Sequence, residues 1–148
     1  MIEILFTASN TPVGRVIRYL TKEPMSHVAI KADDFVVHSA ITGIEIVTYE
    51  YFKTKHNILA SVTVTSSYNK LLKLVTEHQH SFYDYWCLVY LGIRYCAKRV
   101  FNLSLPKVNL WAVSGLYTCT EWVTKYLCGE EDSLITPYQL YKRLTESK

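Results

Sequence analysis

The spacing of hydrophobic residues changes from a strand-like pattern in the first half of the chain to a helical pattern in the second half. In the first half, short or alternating apolar runs lie between turn residues, which is typical of β-strands. Asp33-Asp34 and Thr42-Gly43 are the clearest of these turns. The predicted strands cover residues 3–7, 28–31, 35–39, 44–48 and 58–65.

Apolar residues that recur every three or four positions predict five helices. Pro12 and Pro137 are expected in the first turns of the first and last helices, and Gly129 is expected to end the fourth. The third helix is expected to be mostly buried. The predicted helices cover residues 10–20, 66–75, 83–100, 118–128 and 136–144. Together the segments predict one α+β domain over residues 1–148, a small antiparallel sheet packed with helices.

The composition is that of an ordinary globular domain, with 49% hydrophobic and 20% charged residues among 148. A net charge of +3 without a Lys/Arg run predicts no nucleic-acid partner but is compatible with contact at a membrane surface. No apolar run approaches the ~20 residues of a membrane-spanning helix. The N-terminus lacks the pattern of a signal peptide, so we expect a cytoplasmic location at synthesis.

The four cysteines lack metal-site spacing and are expected to be free thiols of a reducing compartment. Cys119 differs from Cys87, Cys96 and Cys128 because it lies in the first turn of a predicted helix, on the apolar stripe of that helix. Backbone N–H groups and the helix dipole at this position lower the pKa of a thiol and can bind a developing oxyanion. Cys119 is therefore a candidate nucleophile.

Two histidines are candidates for the base that such a nucleophile needs. His27 begins a predicted strand within Ser26-His27-Val28-Ala29-Ile30, and His38 follows Val36-Val37 eleven residues later. An imidazole can accept the thiol proton, and a second polar group can orient the first. His56, in a charged segment, is expected to be solvated, and Glu121, off the apolar stripe, is expected to face solvent.

The order of these segments resembles the circularly permuted NlpC-type papain-like superfamily, especially its compact YiiX-like members. The similar segments are "EILFT", "LTKEPMSHVAI", "FVVHSAITGIEIVTYEYF", "FYDYWCLVYLGIRY", "YTCTEWVTKYL" and "ITPYQLYKRL". Thr120 stands where Ser is commoner. YiiX-like proteins often have Glu at the position of His38, whereas the lecithin retinol acyltransferase group has a histidine there.

This resemblance implies a permuted papain-like fold and a cysteine peptidase or amidase without a metal or other cofactor. Cys119 would be the nucleophile, His27 the general base and His38 the third polar group. Ser26, Tyr83 and Tyr117 would line the substrate-binding site. The substrate would be a peptide or another acyl-containing compound, and small cell-wall peptides are the commonest substrates in the family.

Three alternatives remain open at this stage. The same site could serve a lipid thioesterase or acyltransferase, because the apolar helix 83–100 would suit an acyl chain. The chain could instead be a binding or assembly module without turnover, for example a component delivered in a virus or phage particle. Finally, Cys119, His27 and His38 are chemically acceptable zinc ligands. The oligomeric state is not predicted.

Overall fold

The computed structural model describes residues 1–40, 42–78, 85–106, 118–129 and 134–146. Within them, five antiparallel strands and six helices form the α+β architecture that the sequence predicts. The strands are β1 (Ile2–Ser9), β2 (His27–Ala32), β3 (Phe35–Ala40), β4 (Gly43–Thr48) and β5 (His56–Val64). The helices are α1 (Pro12–Thr21), α2 (Tyr49–Lys55), α3 (Tyr68–His78), α4 (Tyr85–Phe101), α5 (Cys119–Cys128) and α6 (Pro137–Glu146).

The sheet has the strand order β4-β3-β2-β1-β5. Consecutive hairpins join β2 to β3 and β3 to β4, with Ile30 opposite Val37 and His38 opposite Glu45. Strand β1 pairs with the central strand β2, where Thr7 lies opposite His27. This register brings the start of β2 and the end of β3 to the same end of the sheet.

The two faces of the sheet carry different cores because successive strand residues point to opposite sides. Residues such as Ile4, Phe6, Val28 and Ile30 form the larger core together with Trp122, which lies on α5. We call this the main core; it also holds side chains from α3 and α6. The opposite face carries a smaller core, which we call the α2 core, made of Leu5, Ala29, Val36 and Phe52.

Capping residues fix the starts of α1 and α5. Thr11 caps α1, with Pro12 as the first helical residue. Thr118 caps α5 by accepting a hydrogen bond from the Glu121 N–H at 3.2 Å, and the Glu121 carboxylate accepts one from the Thr118 N–H at 3.2 Å. Gly129 ends α5 at φ 77°, a left-handed conformation that glycine adopts without strain. The buried Glu121 therefore corrects the expectation that it faces solvent, since it closes a capping box.

Two helices differ from the sequence predictions. Helix α2 was not predicted, because it is seven residues long and its one buried side chain, Phe52, gives no periodic pattern. Helix α4 was predicted to be mostly buried, yet Val89, Ile93 and Val100 are exposed. Tyr90 is buried.

Among the described residues, no helix has the length and apolar character required to cross a membrane.

All four cysteines are free thiols, as predicted. Cys87 and Cys119 are buried, whereas Cys96 and Cys128 are exposed on the surfaces of α4 and α5.

Candidate functional site with a histidine cluster

Three histidine side chains meet at one end of the sheet. One ring nitrogen from each of His27, His38 and His56 lies within 4.8 Å of the other two. The ring centroid of His27 is 5.4 Å from that of His38 and 5.0 Å from that of His56. Such close imidazoles have the chemistry of a base with its orienting partners and that of metal ligands. We call this group the histidine cluster.

Three separate elements supply these side chains. His27 is the first residue of β2, and His38 lies near the end of the adjacent strand β3. The hairpin register places both on the face of the sheet that carries Ala29 and Val36. His56 is both the C-cap of α2 and the first residue of β5, and its backbone N–H donates to the Phe52 carbonyl.

The ring of Phe52 packs against all three imidazoles. Its ring stacks on His56, with centroids 4.3 Å apart and planes 13° apart. The same ring meets His38 edge-on at 5.2 Å and lies 6.3 Å from His27. Because Phe52 belongs to the buried α2 core, it holds the three imidazoles against an apolar floor and shields them from water.

His27 and His38 are buried and His56 is half-buried, and part of their hydrogen-bonding capacity is unused. His27 is 8% exposed and His38 is 7% exposed. Among the residues that the structure describes, His27 Nε2, His38 Nδ1 and His56 Nδ1 are buried ring nitrogens without a hydrogen-bond partner. Buried polar atoms are normally satisfied, so three unsatisfied nitrogens in one cluster indicate a place built to hold a ligand or to move a proton.

Electrostatics keep the cluster neutral. Burial lowers the pKa of His27 well below its ordinary value, and the nearby His38 and His56 lower it further. Burial also lowers the pKa of His38, although Glu45 acts in the opposite direction. Burial, followed by the proximity of His38, lowers the pKa of His56 to about 4. At neutral pH all three imidazoles therefore offer a lone pair.

Glu45 lies at the open side of the cluster. One of its carboxylate oxygens is 3.9 Å from His38 Nε2, and the side chain is 43% exposed. The Thr42 hydroxyl donates a hydrogen bond to the other oxygen. Glu45 thus faces one nitrogen of the His38 ring while the other nitrogen, Nδ1, has no partner among the described residues.

A cavity of about 260 Å³ gives access to the cluster. Its walls include all three histidines, Glu45 and Ser26. Residues of α1 close the opposite wall, among them Val13, Gly14 and Ile17. The mixture of apolar walls and a few converging polar groups is typical of a small-molecule site.

Ser26, one of the expected substrate-binding residues, shapes this cavity. Its Oγ accepts a hydrogen bond from the Ser9 N–H at 2.9 Å, which ties the start of β2 to the end of β1. A Cβ at Gly14 would lie 3.1 Å from the same oxygen, so the chain passes very close here. The other two expected substrate-binding residues, Tyr83 and Tyr117, lie outside the described residues.

Cys119 is the first residue of α5 and is buried in the main core together with Val28 and Trp122. Helix α5 packs across β2 and β3, the strands that carry His27 and His38. However, Val28 and His27 are consecutive in β2 and point to opposite faces. The structure thus brings His27 and His38 together but places Cys119 on the main-core side, and its pairing with His27 stays a prediction.

Sequence reasoning missed His56, which was expected to be solvated. The structure half-buries it, because α2 returns the chain to the sheet and Phe52 stacks on the ring. The local sequence of this residue is charged and gave no signal of that contact.

A comparison with models of known protein families finds no match, and a comparison with curated proteins finds no similar sequence.

Proposed function

We propose that the protein is a cysteine hydrolase that cleaves an amide bond by acyl transfer through Cys119, with His27 as the base and His38 as its orienting partner. The observation that carries this proposal is the packing of α5. Its first residue is Cys119, and the helix lies across the two strands that bring the rings of His27 and His38 together.

The start of α5 suits a nucleophile. Thr118 and Glu121 form a capping box, which fixes the first turn and places Cys119 directly after the N-cap. The positive end of the helix dipole favours a thiolate at this position, and N–H groups of the first turn can bind the oxyanion of a tetrahedral intermediate.

The histidine pair suits the base. The lowered pKa of His27 keeps its imidazole neutral while Cys119 is a thiol, and a thiolate beside the ring would favour the imidazolium once the proton is transferred. The His38 ring meets the His27 ring edge-on, at an interplanar angle of 89°. Packing against Phe52 fixes both rings, so that the orientation of His27 does not depend on a carboxylate.

The reaction follows two balanced steps. His27 takes the thiol proton of Cys119, and the sulfur attacks the substrate carbonyl carbon to form a tetrahedral oxyanion. Collapse of this intermediate breaks the C–N bond, and the imidazolium gives its proton to the leaving amine, which leaves a thioester on Cys119. His27 then activates a water molecule, which attacks the thioester, releases the carboxylic acid and restores the thiol.

Cys119 lies in the main core and the His27 ring lies on the opposite face of β2, so the proposal requires the thiol to reach this ring around the first residue of the strand. This contact can be tested through the thiolate. The far-ultraviolet thiolate absorbance of the wild type minus that of Cys119→Ala gives the titration of this thiol without the need for reagent access. We expect an inflection below the ~8.5 of a free thiol and a return towards that value in His27→Ala.

Alkylation by iodoacetamide, followed for each cysteine by peptide mass spectrometry, is the second measurement. The exposed thiols of Cys96 and Cys128 serve as internal references. We expect Cys119 to react faster than both at pH 6, and to lose this advantage in His27→Ala. An inflection of Cys119 near 8.5 in the wild type, with no effect of His27→Ala, would refute the proposal.

A second candidate substrate class, an acyl lipid, is favoured by the surface of α4. This helix exposes Val89, Ile93 and Val100. A cavity of about 640 Å³ beside it is lined by Arg94, Lys98 and, from α6, Arg143, together with Glu23. Exposed apolar side chains next to cationic ones suit a lipid with an anionic headgroup. A thioester-linked acyl chain on Cys119 of the purified protein, absent in Cys119→Ala, would favour this class over peptides.

A further inference from the structure

The histidine cluster has the features of a metal site as well as those of a base. Three imidazoles from β2, β3 and β5 converge, and one nitrogen of each lies within 4.8 Å of the other two. We propose that His27, His38 and His56 bind a divalent transition-metal ion such as Zn²⁺, with the fourth coordination position facing the cavity beside α1. This inference does not depend on the reactivity of Cys119.

The donor set fits this class of ion. Imidazole nitrogens suit Zn²⁺, Cu²⁺, Ni²⁺ and Fe²⁺, whereas Mg²⁺ and Ca²⁺ prefer oxygen ligands. In a tetrahedral zinc site, Zn–N distances of about 2.1 Å place the nitrogens about 3.4 Å apart. Nitrogens within 4.8 Å reach that spacing by small side-chain rotations. Three histidines with an open fourth position form a known type of zinc site.

Unsatisfied nitrogens provide the second observation. Within the described part of the chain, His27 Nε2, His38 Nδ1 and His56 Nδ1 are buried and have no hydrogen-bond partner. More than nine-tenths of both His27 and His38 is buried. Leaving such atoms unpaired is unfavourable, and coordination of one ion would satisfy the cluster in a single event.

The Glu45 carboxylate lies beside the ring of His38 and can orient it. Ligating histidines commonly present their second ring nitrogen to a carboxylate, which orients the ring and makes it a better ligand. The Glu45 carboxylate lies 3.9 Å from His38 Nε2, while His38 Nδ1 is unpaired among the described residues. The Thr42 hydroxyl in turn fixes Glu45. We therefore assign Glu45 as the positioning residue of the ligand His38.

This ligand set differs from the Cys119, His27 and His38 set that the sequence leaves open. Cys119 belongs to the main core, on the other side of β2 from the histidine cluster. His56 takes the place of the sulfur. A bound ion would also occupy His27, so it would prevent His27 from accepting the proton of Cys119. Zinc would then inhibit the proposed hydrolase, and a chelator would restore it.

The test is titration of the chelator-stripped full chain with Zn²⁺ by calorimetry and with Co²⁺ by visible absorption at pH 7.5. We expect one ion per chain and Co²⁺ bands without sulfur charge transfer. His56→Gln removes a ligand and should weaken binding at least 10- to 100-fold, the range known for outer-shell changes. Glu45→Gln, at a more exposed position, should weaken it about 10-fold.

Controls separate this proposal from the others. His78→Gln removes a histidine outside the cluster and should leave Zn²⁺ affinity unchanged, as should Cys119→Ala. Mg²⁺ should not compete. Failure of the wild type to bind a stoichiometric ion would overturn the proposal, and so would unchanged affinity in folded His56→Gln. A loss in Cys119→Ala equal to that in His56→Gln would replace our ligand set by one that includes sulfur.

The two proposals are separated by measuring the reactivity of Cys119 in the chelator-stripped protein. Zinc binding by a protein whose Cys119 is unreactive in this metal-free state would retain the metal site and refute the hydrolase. A reactive Cys119 in a protein that binds no zinc would do the reverse.

Discussion

The neutral histidine cluster should make folding stability sensitive to mild acid. In the unfolded chain His56 takes up a proton near its ordinary pKa of 6.5, whereas in the folded chain burial lowers the pKa to about 4. The unfolded state therefore binds more protons between these two values, and the free energy of unfolding falls as the pH drops through this window. Above pH 6.5 both states are neutral, and the contribution of His56 is fully present.

The size of the effect follows from the distance to the ordinary pKa. At pH 5, which is 1.5 units below 6.5, protonation stabilises the unfolded chain by about 2 kcal/mol. His56 is only half-buried, so screening by solvent reduces this contribution to about 1 kcal/mol. Burial lowers the pKa of His27 and His38 in the same direction, and both add to the loss.

Urea denaturation at pH 7.5 and pH 5, with a chelator in every buffer, measures this loss. The wild type should lose more stability between the two pH values than His56→Gln, by about 1 kcal/mol. Any packing cost of the substitution is already present at pH 7.5 and cancels in the comparison. His78→Gln is the matched control for the removal of a histidine. Equal losses in the wild type and in folded His56→Gln would show that His56 is not held neutral by its surroundings.

Three further substitutions test the frame around the site by urea denaturation at pH 7.5. Gly14→Ala should destabilise the protein by about 1–3 kcal/mol, because the new Cβ would lie 2.7 Å from both the Cβ and the carbonyl oxygen of Ser9. An increase in stability, as expected for alanine in an open helix, would contradict the close approach of α1 to β1. Thr118→Ala should cost about 1 kcal/mol through loss of the α5 cap, whereas Thr118→Ser should retain most of the stability. Trp122→Ala should cost about 3–5 kcal/mol, since this fully buried side chain lies at the centre of the main core; a cost below about 1 kcal/mol would mean that α5 does not pack as described.

Periodicity and turn chemistry are local properties, and they predicted the elements that local chemistry determines. The hairpin β2–β3 follows from two apolar runs separated by Asp33-Asp34, and its register places His27 and His38 on one face. The start of α5 follows from Thr118. The same motif, with Glu121 three residues later, is a capping box, so the inward position of Glu121 could also have been predicted.

Other features depend on contacts between distant segments. Helix α2 exists because Phe52 fills the α2 core, and one buried side chain in seven residues leaves no period to detect. His56 joins the cluster only through this helix. The position of Cys119 is a different case. Its helix and inward stripe were predictable, but which face of the sheet that stripe meets depends on the crossing of α5 over β2 and β3.

The three histidines all come from the stretch between residues 27 and 56, whereas Cys119 comes from the last third of the chain. Two hairpins and one short helix bring the imidazoles together, so the loops that must close are short and their entropic cost is small. Strand β1 lies between β2 and β5, so His56 reaches the other two histidines across β1. An ion bound by the three histidines would therefore tie the start of β2, the end of β3 and the start of β5 together across the sheet. Because the unfolded chain does not hold the three side chains in place, the binding free energy of the ion would add to the stability of the native state.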